Sequence, residues 1–264
     1  MMTAWLSSLP LLLVMGAGGW LYAFRRSNVN IVDSLWSLFF LAAALVYAAL
    51  ASRMALSSWL LLALVAAWSL RLSLHLSLRN AGKPEDHRYA AMRERNPRFA
   101  GRSLVTVFGL QAVLAWLISA PLAAAISTPV DAGVPHLLAT GLFALGFFFE
   151  AVGDWQLARF RSNPANRGKV LDTGVWRLSR HPNYFGEACI WWSFFLFALA
   201  AGHAWTVIAP LLMTFLLLRV SGVSLLEKDI EERRPAYRRY VETTSAFIPW
   251  FPRTRHAITK EEHS

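Results

Sequence analysis

The sequence predicts an all-α, polytopic integral membrane protein with about seven transmembrane helices. Three observations carry that expectation: apolar composition, apolar runs of span length, and alternating positive charge between the runs. Hydrophobic residues make up 56% of the 264 and charged residues only 16%, with a mean hydropathy of +0.39. That is more apolar than an ordinary soluble domain. A transmembrane helix needs about 20 predominantly apolar residues. Seven stretches come near that length: Ala4 to Phe24, Ile31 to Leu50, Leu56 to Leu78, Leu104 to Ile126, His136 to Ala158, Tyr184 to Ala201 and Trp205 to Val223.

Lys and Arg number two in the first connection (25–30), one in the second (51–55), seven in the third (79–103), none in the fourth (127–135), six in the fifth (159–183) and none in the sixth (202–204). Positive charge accumulates on the cytoplasmic side. The alternation therefore predicts an outside N-terminus, a cytosolic C-terminus and a single domain over residues 1–264, with no soluble second domain or tandem repeat.

The first run is closed by Arg25 and Arg26, and its length and missing cleavage site argue against a removable signal peptide. Gly16 to Gly19 (GAGG) follows no strand, so it suits close helix packing rather than a phosphate loop. The net charge of +10 would suggest nucleic acid in a soluble domain. Here the basic residues lie in the connections, where topology, anionic lipids or phosphates use them, and no nucleic-acid partner is expected. Cys189 stands alone, which excludes an internal disulfide and a cysteine-based zinc site; no metal is expected. The twelve tryptophans suit interfacial belts, while Trp191 and Trp192 either line a lipid pocket or pack toward lipid.

Within this topology the ionisable groups of the spans fall in one leaflet. Asp33 starts span two, Arg71 and His75 end span three, Glu150 and Asp154 end span five, Asn183 and Glu187 begin span six, and Arg219 lies near the cytosolic end of span seven. Each alone could snorkel or pair structurally; together they predict a polar cavity open to a cytosolic ligand. Glu150, Asp154 and Arg161, four and seven apart, share a helical face, as do Asn183 and Glu187. Asp154 and Arg161 read either as an ion pair or as part of a binding site. Lys83, Arg161, Arg167 and Lys169 suit phosphate contacts, although a polybasic surface against anionic lipid has the same pattern.

The pattern Asp154-x6-Arg161-x-Asn163-Pro164, followed by DTGVWRLSRHPNYFGE at 172–187, closely resembles the membrane steroid 5α-reductase superfamily, particularly its bacterial members. The resemblance extends to RNAGKP at 79–84, Arg219 and YRRYVETTSAFIP at 237–249. It covers roughly residues 30–252, with the reductase-type C-terminal region over about 136–252. It implies a seven-helix enzyme of the bacterial inner membrane, with its active site open to the cytosol. Such an enzyme takes NADPH and reduces a carbon–carbon double bond conjugated to a carbonyl in a lipid, such as a 3-oxo-Δ4 steroid. The cofactor contacts it implies are Lys83, Asp154, Arg161, Asn183, Glu187 and Arg219. Arg180, His181 and Tyr184 belong to the same motif, Lys169 enters by loop position, and Glu227 and Tyr237 are candidates for adenosine. No Gly-rich strand–turn–helix is present, so a dinucleotide would bind without a Rossmann domain.

In such a reduction the hydride comes from the cofactor. Asn183 and Glu187 would hold the nicotinamide carboxamide, with Glu187 also a catalytic candidate. A donor must stabilise the developing enolate and a proton must be supplied. Steroid reductases of the animal type carry a Gln–Glu pair near span two and a tyrosine in span three. This chain has Val32-Asp33-Ser34 and Trp68 there. Asp33 is then the candidate carbonyl donor, if burial keeps its carboxyl protonated, or else a helix N-cap. His75 is a second donor candidate, or a packed histidine. Residues 85–89 (EDHRY) read as a loop over the cofactor or as a solvated turn. Leu226 to Tyr240 reads as an amphipathic helix that closes over the cofactor or lies on headgroups. Two alternatives remain: an S-adenosylmethionine-dependent methyltransferase of the isoprenylcysteine or phospholipid type, which shares the RHP-x-Tyr turn, and a non-catalytic lipid-binding scaffold.

Overall fold

The computed structural model describes residues 1–220 and 235–252. Among them are helices and connections and no strand. In order these are α1 (Met2–Arg26), α2 (Ile31–Leu50), α3 (Leu56–Asn80), α4 (His87–Arg95), α5 (Phe99–Ser103), a π-helical segment (Leu104–Gly109), α6 (Leu110–Ile118), α7 (Ala120–Ser127), α8 (Val134–Ser162), α9 (Pro182–Ala200), α10 (Ile208–Phe215) with a π-helical end (Leu216–Val220), and α11 (Pro235–Thr243). Among the described residues, five helices are long and apolar enough to cross a membrane: Met2–Arg26, Ile31–Leu50, Leu56–Asn80, Phe99–Ile118 and Val134–Ser162. The chain is an integral membrane protein. The last two apolar runs fold as the 19-residue α9 and as the shorter apolar helix Ala204–Val220.

The fourth run departs from its expected course. Instead of one helix from Leu104 to Ile126, the span starts at Phe99 and stops at Ile118, and α7 follows a break at Ser119. Pro121 explains the break: it has no N–H to continue the α6 ladder, and it sits in the first turn of α7, where none is needed.

The chain divides into two compact units: Met1–Ala144 with Ile190–Met213, and Leu145–Cys189 with the described residues from Thr214 onward. In the first unit, α1 runs antiparallel to the α5–α6 span. Trp5 and Trp116 stack with centroids 4.5 Å apart, and each indole N–H donates to the other's backbone carbonyl at 2.9 Å. Toward the other end, the Trp20 indole donates to the Ala100 carbonyl at 2.8 Å. Between them the GAGG run packs as expected: a methyl group on Gly16 would lie 3.3 Å from the Phe108 carbonyl, and one on Gly19 would collide with Leu35. Tyr47 links Ser8 at 3.0 Å and Ser119 at 2.6 Å, a hydroxyl chain that satisfies polar groups where no water is at hand. Phe40, Trp68, Trp191 and Phe194 fill the core with rings 4.5 Å to 6.1 Å apart. Trp191 is therefore interior rather than lipid-facing.

The third connection is an ordered clasp rather than a solvated turn. Glu85 accepts two bonds from the Arg93 guanidinium, at 2.9 Å and 2.8 Å, and one from the Val29 N–H at 3.0 Å. Asn30 donates to the Pro84 carbonyl at 3.0 Å and accepts the Asp86 N–H at 2.8 Å. Asp86 caps α4 by accepting the Arg88 N–H. Burial works to raise the Glu85 carboxyl, but the Arg93 and Val29 donors outweigh it and hold it below its ordinary 4.5. The same balance, with Arg88 as the donor, holds Asp86 below 3.8. Depressed carboxyls stabilise the fold above their unfolded values and lose that contribution as pH falls through the folded ones. The clasp is expected to hold fully above pH 4.5 and to open as pH falls below 3.8. Amide exchange at Val29 and Asp86, corrected for intrinsic rate, checks this; unchanged protection in acid would contradict it.

Candidate functional site

In the second unit, the end of α8 and the start of α9 meet at glycine. A methyl group on Gly186 would run into the Gly146 carbonyl and the Glu150 N–H, so the two backbones touch there. One turn on, Gly153 lies against Asn183, and its carbonyl accepts the Trp176 indole N–H at 3.0 Å. The connection reaches α9 through a 3-10 turn (Gly174–Arg177) that starts with Gly174 at φ 62. A side chain at Gly174 would be strained and would strike Gln156, whose carbonyl oxygen accepts the Val175 N–H at 3.1 Å.

That connection is laced to the C-terminal segment. The Arg180 N–H donates to the Ser245 carbonyl and the Trp250 N–H to the Leu178 carbonyl, both at 2.9 Å. The Ser179 hydroxyl donates to the Phe247 carbonyl at 2.8 Å and accepts the His181 N–H at 3.1 Å. From α11, the buried Tyr240 hydroxyl bonds the carbonyls of Trp176 and Ser179.

This frame concentrates polar groups inside an apolar protein. Glu150 is 2% exposed, His181 4%, and Asp154 and Arg180 8% each. The Asn183 side-chain amide donates to Asp154 Oδ1 at 3.1 Å, which leaves the Asn183 carbonyl oxygen as an acceptor for another group. The His181 and Tyr184 rings stack in parallel, with centroids 5.6 Å apart. Glu187 is half-buried one turn further along α9. Arg161, Arg167 and Lys169 are exposed on the end of α8 and the connection after it. Arg219 is exposed in the π-helical end of α10, and Tyr237 is buried against Tyr240, with centroids 5.5 Å apart. Glu227, and with it much of the expected Leu226 to Tyr240 helix, lies outside the described residues.

Three expected residues belong to the first unit. Lys83 is exposed beside the clasp, and His75 is half-buried near the end of α3. Asp33 lies in the first turn of α2, but Asn30 occupies the N-cap position, which corrects the capping alternative. The Asp33 carboxylate meets Arg79 and accepts the Tyr89 hydroxyl, each at 3.4 Å. Sequence reasoning missed Ser179, Gly186 and Tyr240 as organisers of the site. Their signals were small: a serine before an RHP turn, a glycine in an apolar helix, and a tyrosine three residues after Tyr237.

The family described as proteins of unknown function (DUF1295) matches residues 19–244. The chain belongs to that family. DUF1295 comprises steroid 5α-reductase-like membrane proteins, and the match takes in the α8–α9 crossing and α11 of this DUF1295 chain. An uncharacterized protein of the fission yeast Schizosaccharomyces pombe is 27% identical over 272 residues, covering 89% of this chain and 77% of its own length. No solved structure matches.

Tyr240→Phe in this DUF1295 protein would leave two buried carbonyls without that donor. It is expected to lower stability by about 1–3 kcal/mol and to speed amide exchange at Arg180 and Trp250. Unchanged melting and exchange would show that the lacing does not depend on the hydroxyl.

Proposed function

We propose that this chain is an NADPH-dependent reductase of a carbon–carbon double bond conjugated to a carbonyl in a membrane lipid, with a 3-oxo-Δ4 steroid as the model substrate. The observation that carries the reading is the hydrogen bond between the half-buried Asn183 amide and the buried Asp154 carboxylate. It lies at the entrance of α9, in the segment that also buries Arg180 and His181. The donor set fits a phosphate-rich dinucleotide. Exposed Arg161, Arg167 and Lys169 supply guanidinium and ammonium groups for phosphates. Asn183, with its amide held by Asp154, presents an acceptor suited to the N–H of a carboxamide, and Glu187 lies one turn away.

NADPH, when bound, supplies the hydride. The chain's own part is to hold the nicotinamide in one orientation, to neutralise the phosphates and to deliver a proton, for which Asp33 and His75 are the candidates. Lys83, Arg180, His181, Tyr184, Arg219, Glu227 and Tyr237 complete the proposed set of cofactor contacts. The finer topology belongs to the same proposal: seven spans, N-terminus outside, C-terminus in the cytosol, and a bacterial inner membrane as the site of residence.

The test is the melting temperature of the detergent-solubilised protein with NADPH, NADH or S-adenosylmethionine. A ligand present at 100 times its Kd stabilises the folded state by about 2.7 kcal/mol. Stabilisation by NADPH, followed by loss of NADPH absorbance on adding a 3-oxo-Δ4 steroid, supports the reductase. Stabilisation by S-adenosylmethionine instead would transfer the reading to methyl transfer, and a flat response would favour a lipid-binding scaffold.

A further inference from the structure

Within the first unit, α1 and the α5–α6 span enclose an apolar groove of about 520 Å³, lined by Leu13 and Ala17 on one side and by Leu104, Val105, Leu110 and Val113 on the other. The groove follows from local sequence. Ala17 gives α1 a shallow surface, and the π-helical segment ends at Gly109, also in the lining, where a methyl group would already press on the Leu104 carbonyl at 3.0 Å. Its walls are open to the surroundings: Val105 is 70% exposed and Leu110 52%. Both helices are among those able to cross a membrane, so lipid is the medium in front of it.

One end of the groove is basic. Because α1 and the α5–α6 span are antiparallel, with Trp20 against Ala100, Arg25 and Arg26 lie at the same end as Arg98 and Arg102. All four are exposed, and neither Met2–Arg26 nor Phe99–Ile118 contains an acidic residue. Arg102 is within one turn of the groove walls at Leu104 and Val105. A second apolar groove of about 410 Å³, lined by Val134, Leu138, Leu196 and Leu199 among others, adjoins connections 127–135 and 202–204, which carry no Lys or Arg. Apolar shape is common to both grooves; positive charge marks one.

We infer that the α1/α5–α6 groove seats an acyl chain of an anionic glycerophospholipid whose phosphate is held at Arg102. A chain lying in the groove covers apolar walls, and the guanidinium meets the headgroup with a charge-assisted hydrogen bond. The inference rests on charge and shape in the first unit and is independent of the proposed reaction.

The experiment is native mass spectrometry of the full chain in detergent, titrated with phosphatidylglycerol or phosphatidylcholine. The variants are Arg102→Glu and Ala17→Phe; the latter fills the groove from an exposed position. Melting temperatures establish that both remain folded. The expected result is selective retention of phosphatidylglycerol, lowered roughly ten- to thirtyfold by Arg102→Glu, abolished by Ala17→Phe, and not displaced by glycerol 3-phosphate. Equal retention of phosphatidylcholine, or full retention by Ala17→Phe, would overturn the inference. Displacement by glycerol 3-phosphate would reduce the site to a phosphate contact without the groove. A wild-type dimer that Ala17→Phe converts to monomer would give the groove to a second copy of the chain.

Discussion

Gly186→Val is expected to cost this protein its fold. The new side chain would begin inside the Gly146 carbonyl and the Glu150 N–H, with Glu150 Cβ only 2.9 Å away. The first two obstacles are backbone, which cannot swing aside as a flexible side chain does. Relief comes only if α8 and α9 part, and parting them dismantles the Asp154–Asn183 pair. Overpacking in well-packed interiors costs about 1–3 kcal/mol, and a branched side chain against two helix backbones belongs at or above the upper end. Gly153→Ala is the control on the same crossing, because its methyl group would meet Asn183 and Pro182 at 3.4 Å, an ordinary contact. Folded yield and melting temperature in detergent should collapse for Gly186→Val and stay near wild type for Gly153→Ala. A Gly186→Val protein that melts like wild type would mean that the helices do not cross as closely as described.

Asp154→Ala carries the second large effect. Asp154 is buried, and Oδ1 receives the Asn183 amide. Truncation leaves that donor without its acceptor and opens a small void, at a cost of about 1–3 kcal/mol. Under the reductase reading it also releases the group proposed to orient the nicotinamide. The stabilisation given by NADPH should fall by an amount equivalent to roughly tenfold in affinity, about 1.4 kcal/mol. Asp154→Asn, which keeps an acceptor oxygen in the same place, should retain most of both. If the alanine variant loses stability while its NADPH response is undiminished, Asp154 is architectural and the nicotinamide end lies elsewhere.

How far such a chain can be read from its residues depends on what each feature is made of. The spans were legible because apolarity over 20 residues is a local property: Ile31–Leu50 agrees at both ends, and α1, α3 and α8 start and stop within a few residues of the expected limits. The break at Ser119 was not legible, because alanine, leucine and isoleucine continue through it and Pro121 alone announces the new helix. The i, i+4 spacing placed Glu150 and Asp154 on one face. It could not show that the Asn183 amide reaches Asp154 from a helix 29 residues away. The clasp failed for the same reason: Glu85 finds Arg93 eight residues on, but its third donor is a backbone N–H 56 residues back, and no charge pattern encodes a backbone partner. Tyr240 and Ser179 likewise act on carbonyls, which every residue carries.

The lacing between residues 178–180 and 245–250 also imposes an order on biosynthesis. The connection into α9 leaves the ribosome more than 60 residues before the segment that binds the Leu178 carbonyl, the Arg180 N–H and the Ser179 hydroxyl. At roughly 5–20 residues per second, those groups wait several seconds without their final partners while α9 and α10 are being made. Closure of this region is therefore a late, post-insertion event. A nascent chain that stops short of Ser245 has all its described apolar helices and none of the lacing that residues 245–250 supply.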